Sequence, residues 1–110
     1  MSFFRKRVLD HTGSRADKGF KATLFESPRL LLGVNCLEPG QAQHLHSHGG
    51  QDKFYLVQQG AGRFTVGDDA FDAAEGDVVW APADVPHGVV NSGTARLTLV
   101  IGIAPAPSAR

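Results

Sequence analysis

Short apolar runs, separated by glycine, proline and polar residues, repeat along the chain. The runs are rich in Val, Leu, Ile and Phe, and none continues with a period of 3.6 residues long enough to predict a packed helix. Runs that recur about every 8–12 residues are typical of an all-β jelly-roll barrel of two facing antiparallel sheets. We therefore predict strands at residues 20–25, 29–37, 41–48, 53–59, 63–66, 70–73, 77–81, 89–91 and 96–103.

The segments between these runs predict turns and ends. Gly60-Ala61-Gly62, Gly67-Asp68-Asp69 and Ser92-Gly93 are typical of hairpin connections. Residues 3–9 are predicted to be extended, and residues 104–110, with two prolines, to be a frayed tail. We expect a single domain over residues 1–110, with its core at about 20–103.

Charge and cysteine content narrow the functional classes. The 110 residues carry 11 basic and 11 acidic side chains, so no net field favours nucleic acid or an anionic membrane. Cys36 is the only cysteine, which excludes an internal disulfide and predicts a small buried apolar side chain. No apolar run reaches the length of a signal-peptide core or a membrane span. We expect a cytoplasmic protein.

Three histidines, His44, His46 and His48, stand at alternate positions after the turn-like pair Pro39-Gly40. Residues two apart on a strand share one face at about 6–7 Å, and two imidazoles at that separation can reach one ion. A helix would need spacings of three or four for the same result. The alternation therefore predicts a metal-binding pair on a strand.

The same stretch resembles the first cupin motif, which is Gly, five residues, His-x-His, three or four residues, Glu, six residues, Gly. Gly40, His46, His48 and Gly60 match it, and Lys53 stands at the position of the Glu. Residues 76–91 resemble the second cupin motif, which is Gly, five residues, Pro-x-Gly, two residues, His, three residues, Asn. That motif is matched at Gly76, Pro82, His87 and Asn91, with Asp84 in place of the inner Gly.

The resemblance implies a double-stranded β-helix of the small cupin family with one divalent transition metal held by His46, His48 and His87. Neutral imidazole suits Fe, Ni, Cu or Zn, and three histidines leave positions open for water or substrate. Fe, Mn, Ni, Cu and Zn are all candidates for the metal. The alternative is that these are structural histidines bonded to backbone. For a fourth ligand, Gln51, His44, water and substrate all stay open. His11 lies in a polar loop and is expected at the surface.

Two residues of the strand at 53–59 bear on the chemistry. Tyr55 shares parity with Lys53 and is predicted to point into the barrel, where its phenol could act in proton transfer as a catalytic residue or simply line the barrel. Lys53 at the Glu position would face the metal. We expect its long stem to carry the charge to water or to Asp52 instead.

Phe54 and Leu56 are then predicted on the outer face, which favours a homodimer, together with an N-terminal strand that has no internal partner. Trp80 is expected to be a packing residue.

The function predicted from this pattern is an Fe- or Mn-type oxygenase acting on a small organic molecule. A second possibility is a non-catalytic module that binds or senses a small molecule, with or without metal. The third is a metal-free structural cupin in which Lys53 replaces the ligand charge.

Overall fold

The computed structural model describes residues 2–47 and 49–107. Within these residues, nine strands form two antiparallel sheets that face each other, and a short 3-10 helix, Val8–His11, precedes them. The strands are β1 Phe20–Ser27, β2 Leu30–Leu37, β3 Ala42–His46, β4 Asp52–Gln59, β5 Ala61–Val66, β6 Asp69–Ala74, β7 Val78–Ala81, β8 His87–Val90 and β9 Leu97–Ala104. The predicted all-β jelly roll is confirmed.

The strand order positions His46 and His87 on a single sheet. The larger sheet has the order β1-β2-β9-β4-β7, and the smaller has β3-β8-β5-β6. Because β3 pairs with β8, the first histidine strand lies directly beside the strand that begins at His87. Gly88 allows this approach, since a Cβ there would lie 2.8 Å from the carbonyl oxygen of Gln43.

The core lies between the sheets and is built by alternation along the strands. On β4 the side chains of Lys53, Tyr55 and Val57 are buried, while those of Phe54 and Leu56 are only partly buried. This is the parity expected of a strand with one face on the core. Tyr55 and Phe64 are the largest fully buried side chains.

Two of the predicted hairpins are wrong. Gly60 connects β4 of the larger sheet to β5 of the smaller one, and residues 92–93 lie between β8 and β9, which also belong to different sheets. The turn at Gly67 does join the paired strands β5 and β6. Gly60 has φ +83°, and a Cβ would lie 2.5 Å from the carbonyl oxygen of Arg96, so this crossing between sheets requires glycine.

The N-terminal segment packs on the outside of the larger sheet. Residues 3–9 contain no strand, and the 3-10 helix begins at Val8, so the predicted N-terminal strand is wrong. Val8 packs against a second small cluster formed by Leu24, Val34 and Cys36. Lys6 Nζ donates a hydrogen bond of 2.7 Å to the carbonyl oxygen of Leu24. Cys36 is fully buried, as predicted.

The tail also differs from its prediction over the part that is described. β9 ends at Ala104, Ala106 is buried, and its backbone N–H donates to the carbonyl oxygen of Pro28 at 3.2 Å. Residues 105–107 therefore pack on the barrel, and residues 108–110 lie outside the described residues. Across residues 2–47 and 49–107, no helix is long and apolar enough to cross a membrane.

Candidate metal centre and cavity

His46 and His87 face each other across paired strands of the smaller sheet. They are register partners at the ends of β3 and β8, and their ring centroids lie 4.6 Å apart with an interplanar angle of 58°. His87 is only 1% exposed, whereas His46 is partly exposed. The two imidazoles predicted from separate motifs are therefore brought together.

Both rings are oriented by backbone carbonyls. His46 Nδ1 donates to the carbonyl oxygen of His44 at 2.6 Å, and His87 Nδ1 donates to that of Val85 at 3.0 Å. A carbonyl only accepts, so the proton sits on Nδ1 in each ring and Nε2 is the nitrogen with a lone pair to give. Burial lowers the pKa of His87; the Val85 carbonyl acts in the opposite direction, and the charges of Lys53 and His46 lower the pKa further. The neutral imidazole that a metal requires is thus favoured at His87.

The remaining predicted ligands are His48, Gln51 and His44. His48 lies outside the described residues, and within residues 2–47 and 49–107 no three His, Cys, Asp or Glu side chains come together. Gln51 is partly exposed, and its Nε2 donates to the carbonyl oxygen of Pro105 at 3.3 Å. His44 is exposed at the mouth of the cavity described below. Two imidazole donors therefore fit a metal, and the third ligand, His48, and the role of Gln51 stay predictions.

Tyr55 lies on the inner face, as its parity predicts. Its ring centroid is 6.2 Å from that of His87 and 5.4 Å from that of Phe64. Among the described residues its hydroxyl has no hydrogen-bond partner. Burial raises the pKa of Tyr55 above its usual range, so the phenol stays protonated at neutral pH.

The predicted escape of Lys53 to water is wrong. Lys53 is 6% exposed, and its Nζ lies 4.6 Å from the centroid of the Tyr55 ring. Asp52, the expected partner, instead accepts a hydrogen bond from the backbone N–H of Ala83 at 2.9 Å. The stem cannot pass the sheet, because Lys53 is paired on both sides, with Ile103 of β9 and Ala81 of β7. Burial, and secondarily the charge of Lys21, lower the pKa of Lys53 from 10.5 to about 8.

Lys53 and His46 line a cavity of about 510 Å³. Its apolar wall comes from Leu31, Ile101 and Ile103, and its polar wall includes Asn35 and Gln43. Two more cationic side chains, Lys18 and Lys21, line it, and the described lining contains no Asp or Glu. Sequence reasoning missed Lys21, Asn35 and Gln43, since their approach depends on pairing between distant strands.

The prediction that Trp80 is a packing residue is wrong. Trp80 is 57% exposed on the outer face of the larger sheet. It pairs across strands with Phe54, and Val78, which is 65% exposed, pairs with Leu56. These four residues form the outer apolar patch.

Known proteins share this fold and part of this sequence. The uncharacterized protein SCO3923 from Streptomyces coelicolor is 31% identical over 87 residues, which cover 79% of this chain and 81% of that protein. The crystal structure of TT1209 from Thermus thermophilus matches with a TM-score of 0.90 and 35% identity, covering 94% of this chain and 98% of that one. A predicted oxalate decarboxylase from Thermotoga maritima matches with a TM-score of 0.73 and 25% identity, covering 76% of this chain and 77% of that one.

A model of the cupin domain matches residues 33–102, which include both motifs and the His46–His87 pair. The chain therefore belongs to the cupin family.

Proposed function

We propose that this cupin is a metal-dependent enzyme acting on a small organic molecule, with one divalent transition metal held by His46, His48 and His87. The observation that carries the proposal is the His46–His87 pair, in which both rings are held by carbonyls at Nδ1 so that Nε2 is the ligating atom. A buried histidine oriented through its second nitrogen is the usual arrangement of a metal ligand.

The reaction class we favour is oxygenase-like, with Fe or Mn as the metal. When bound, such a metal would act as a Lewis acid on substrate oxygen. The chain's own residues supply the surroundings. Tyr55 keeps a protonated phenol on the inner face near His87, where its hydroxyl can donate a hydrogen bond to a bound substrate. Leu31 and Ile101 provide the apolar wall of the cavity. The name of the Thermotoga maritima relative, a predicted oxalate decarboxylase, supports a small organic molecule as the ligand.

The alternative function is a non-catalytic module that binds or senses a small molecule. Lys53 favours it, because an ammonium replaces the Glu of the first cupin motif and lies inside the barrel. A cation at this place opposes a metal ion and leaves the cavity as a binding site in its own right. The metal-free cupin is the limiting case of this alternative.

The deciding experiment is metal analysis of the protein purified without an affinity tag or added metal. We expect about one transition metal per chain, and His46→Ala, His48→Ala or His87→Ala should each lower occupancy about tenfold or more because a ligand is lost. His11→Ala is the matched control, since it removes a histidine outside the site. Full occupancy in His87→Ala would overturn the assignment, and metal-free wild-type protein would favour the alternative.

Oxygen uptake then separates the enzyme from the binding module. A metal-loaded enzyme should consume oxygen with at least one compound in a panel of thiols, diketones, catechols and flavonols. Binding without turnover across that panel would favour the module.

We also propose a homodimer formed through the outer apolar patch. Phe54, Leu56, Val78 and Trp80 carry no charge, and β7 is an edge strand. The N-terminal segment covers the β1–β2 part of this face and leaves the patch exposed. A patch without charge is complementary to itself, which suits a second copy related by a two-fold axis. We further propose a cytoplasmic location. The thiol of Cys36 forms no disulfide, as is usual for proteins in a reducing compartment.

A further inference from the structure

The buried ammonium of Lys53 has no counter-ion in the described protein. No ion pair between Lys53 and a carboxylate forms within residues 2–47 and 49–107, and its Nζ lies over the face of the Tyr55 ring. Buried charges are normally paired, because desolvation disfavours an isolated ion. The cavity beside Lys53 is the place from which a partner could come.

The lining of that cavity is positive and otherwise mostly apolar. Lys21 lies near enough for its charge to act on Lys53, and Lys18 adds a third cation. Since the described lining holds no acidic side chain, the field inside the cavity favours an anion.

Gln43 adds a second polar feature. Its Oε1 is buried and, among the described residues, accepts no hydrogen bond, although Gln43 lines the cavity. Buried acceptors nearly always accept a hydrogen bond, so a ligand with a hydroxyl or amide hydrogen would donate one to Gln43 Oε1. Asn35, 4% exposed on the inner face of β2, also lines the cavity and can both donate and accept.

We propose that the cavity binds a small organic carboxylate, with the carboxylate group against Lys53 and the apolar body against Ile101 and Ile103. A hydrogen-bond donor on the ligand would meet Gln43 Oε1. The inference names the class of ligand that the proposed site binds. It rests on the proposed function only for what that ligand does there. Binding itself does not depend on the metal, because neither Lys53 nor Gln43 is a proposed metal ligand. Lys53 is a binding residue here, and the volume of about 510 Å³ admits molecules of a few to about a dozen heavy atoms.

The test compares matched carboxylates and carboxamides by calorimetry. The probes are 4-hydroxybenzoate with 4-hydroxybenzamide and 2-hydroxy-4-methylpentanoate with its amide, so that acid and amide carry the same hydroxyl donor for Gln43. They are titrated at low ionic strength into protein as purified and into protein treated with a chelator. We expect each carboxylate to bind about tenfold or more tightly than its amide, since one charged hydrogen bond distinguishes the two. The preference should survive chelation, because it comes from Lys53.

Lys53→Met should abolish the preference by weakening only carboxylate binding, with amide binding unchanged. Arg29→Met is the control, since it removes one positive charge from an exposed turn outside the cavity lining. Thermal unfolding of both variants verifies that they fold, and Lys53→Gln serves as a second variant should the methionine misfold.

The outcomes separate this inference from the metal. Equal binding of acid and amide to the wild type, a preference that persists in Lys53→Met and Lys53→Gln, or no carboxylate binding up to millimolar concentration would each overturn it. Loss of metal on chelation with the carboxylate preference retained supports this inference whatever the metal does. A protein that binds metal but lacks the preference would refute the inference while leaving the proposed function standing.

Discussion

Lys53→Met offers a quantitative test of the buried lysine. The variant keeps an unbranched apolar stem in place of the lysine stem and removes the ammonium from a site that is 6% exposed. Burial holds the pKa of Lys53 near 8 in the folded protein, against 10.5 as its ordinary value. The folded chain therefore loses this proton at a lower pH than the unfolded chain.

The direction of the pH dependence follows from proton counting. Below about pH 8 Lys53 is protonated in both states, and its desolvation lowers the free energy of unfolding in full. Between about pH 8 and 10.5 the unfolded chain holds more protons, so the free energy of unfolding rises with pH. From pH 7 to about pH 10 the rise from Lys53 alone is about 2–3 kcal/mol. Above about pH 10 the raised pKa of Tyr55 acts in the opposite direction, because only the unfolded phenol ionises.

Urea unfolding of metal-free protein at several pH values between 7 and 10 measures this contribution. The difference between wild type and Lys53→Met cancels the groups that both proteins share, so the wild type should gain about 2–3 kcal/mol relative to the variant across this window. At pH 7 the variant should be more stable by about 1–3 kcal/mol, after the lost contact with the Tyr55 ring is subtracted. Lys21→Met, at an exposed position of the same cavity, should keep the wild-type rise. Parallel pH curves for wild type and Lys53→Met would refute the buried-charge account.

Four further predictions test other parts of the molecule. Tyr55→Phe removes a buried hydroxyl without a described partner, so the free energy of unfolding should stay within about 1 kcal/mol, and a large loss of stability would reveal a hidden partner. Asn91→Ala should cost about 2–4 kcal/mol in urea unfolding, because the side chain donates to the carbonyls of Leu37 and Ala95 and accepts from the Gly93 N–H. Asp84→Gly should raise the free energy of unfolding by up to about 1 kcal/mol, and with it the melting temperature, because Asp84 has φ +66°. An unchanged or lower melting temperature would contradict this. Trp80→Glu should give a monomer by light scattering where the wild type is a dimer, and a monomeric wild type at micromolar concentration would defeat the homodimer.

The strands and the inner parity of β4 could be predicted from the sequence because both depend on neighbouring residues. Alternation at Lys53, Tyr55 and Val57 is a local signal, and the structure keeps it. Hydropathy and parity conflict at two positions of this sheet. Hydropathy predicts that Lys53 reaches water and that Trp80 packs, yet Lys53 faces inward opposite Ala81 and Trp80 faces outward opposite Phe54. Register decides which face a residue takes, even against its polarity.

The connections and the cavity could not be predicted in the same way. The local sequence of a glycine turn is similar whether the turn joins paired strands, as at Gly67, or crosses between sheets, as at Gly60. The difference lies in which distant strand pairs with each side, and no local pattern encodes it. Lys21 on β1 and Gln43 on β3 line one cavity for the same reason. The motif histidines were found because the spacing within each motif is local, and the pairing of β3 with β8 then brings His46 to His87.

Lys53 and the histidines act on one another because Lys53 lies on the inner face of the larger sheet and the histidines lie on the smaller sheet that faces it. The charge of Lys53 already lowers the pKa of His87 in the protein alone. A divalent ion on the histidines would repel the Lys53 ammonium as well, and this repulsion is strong where water is excluded. No described lining residue offers a carboxylate to offset it, whereas a bound organic anion would. Metal and anion should then raise each other's affinity by the same factor, since binding free energies are reciprocally linked. In this chain the negative charge that the first cupin motif places on a Glu would come from the ligand instead.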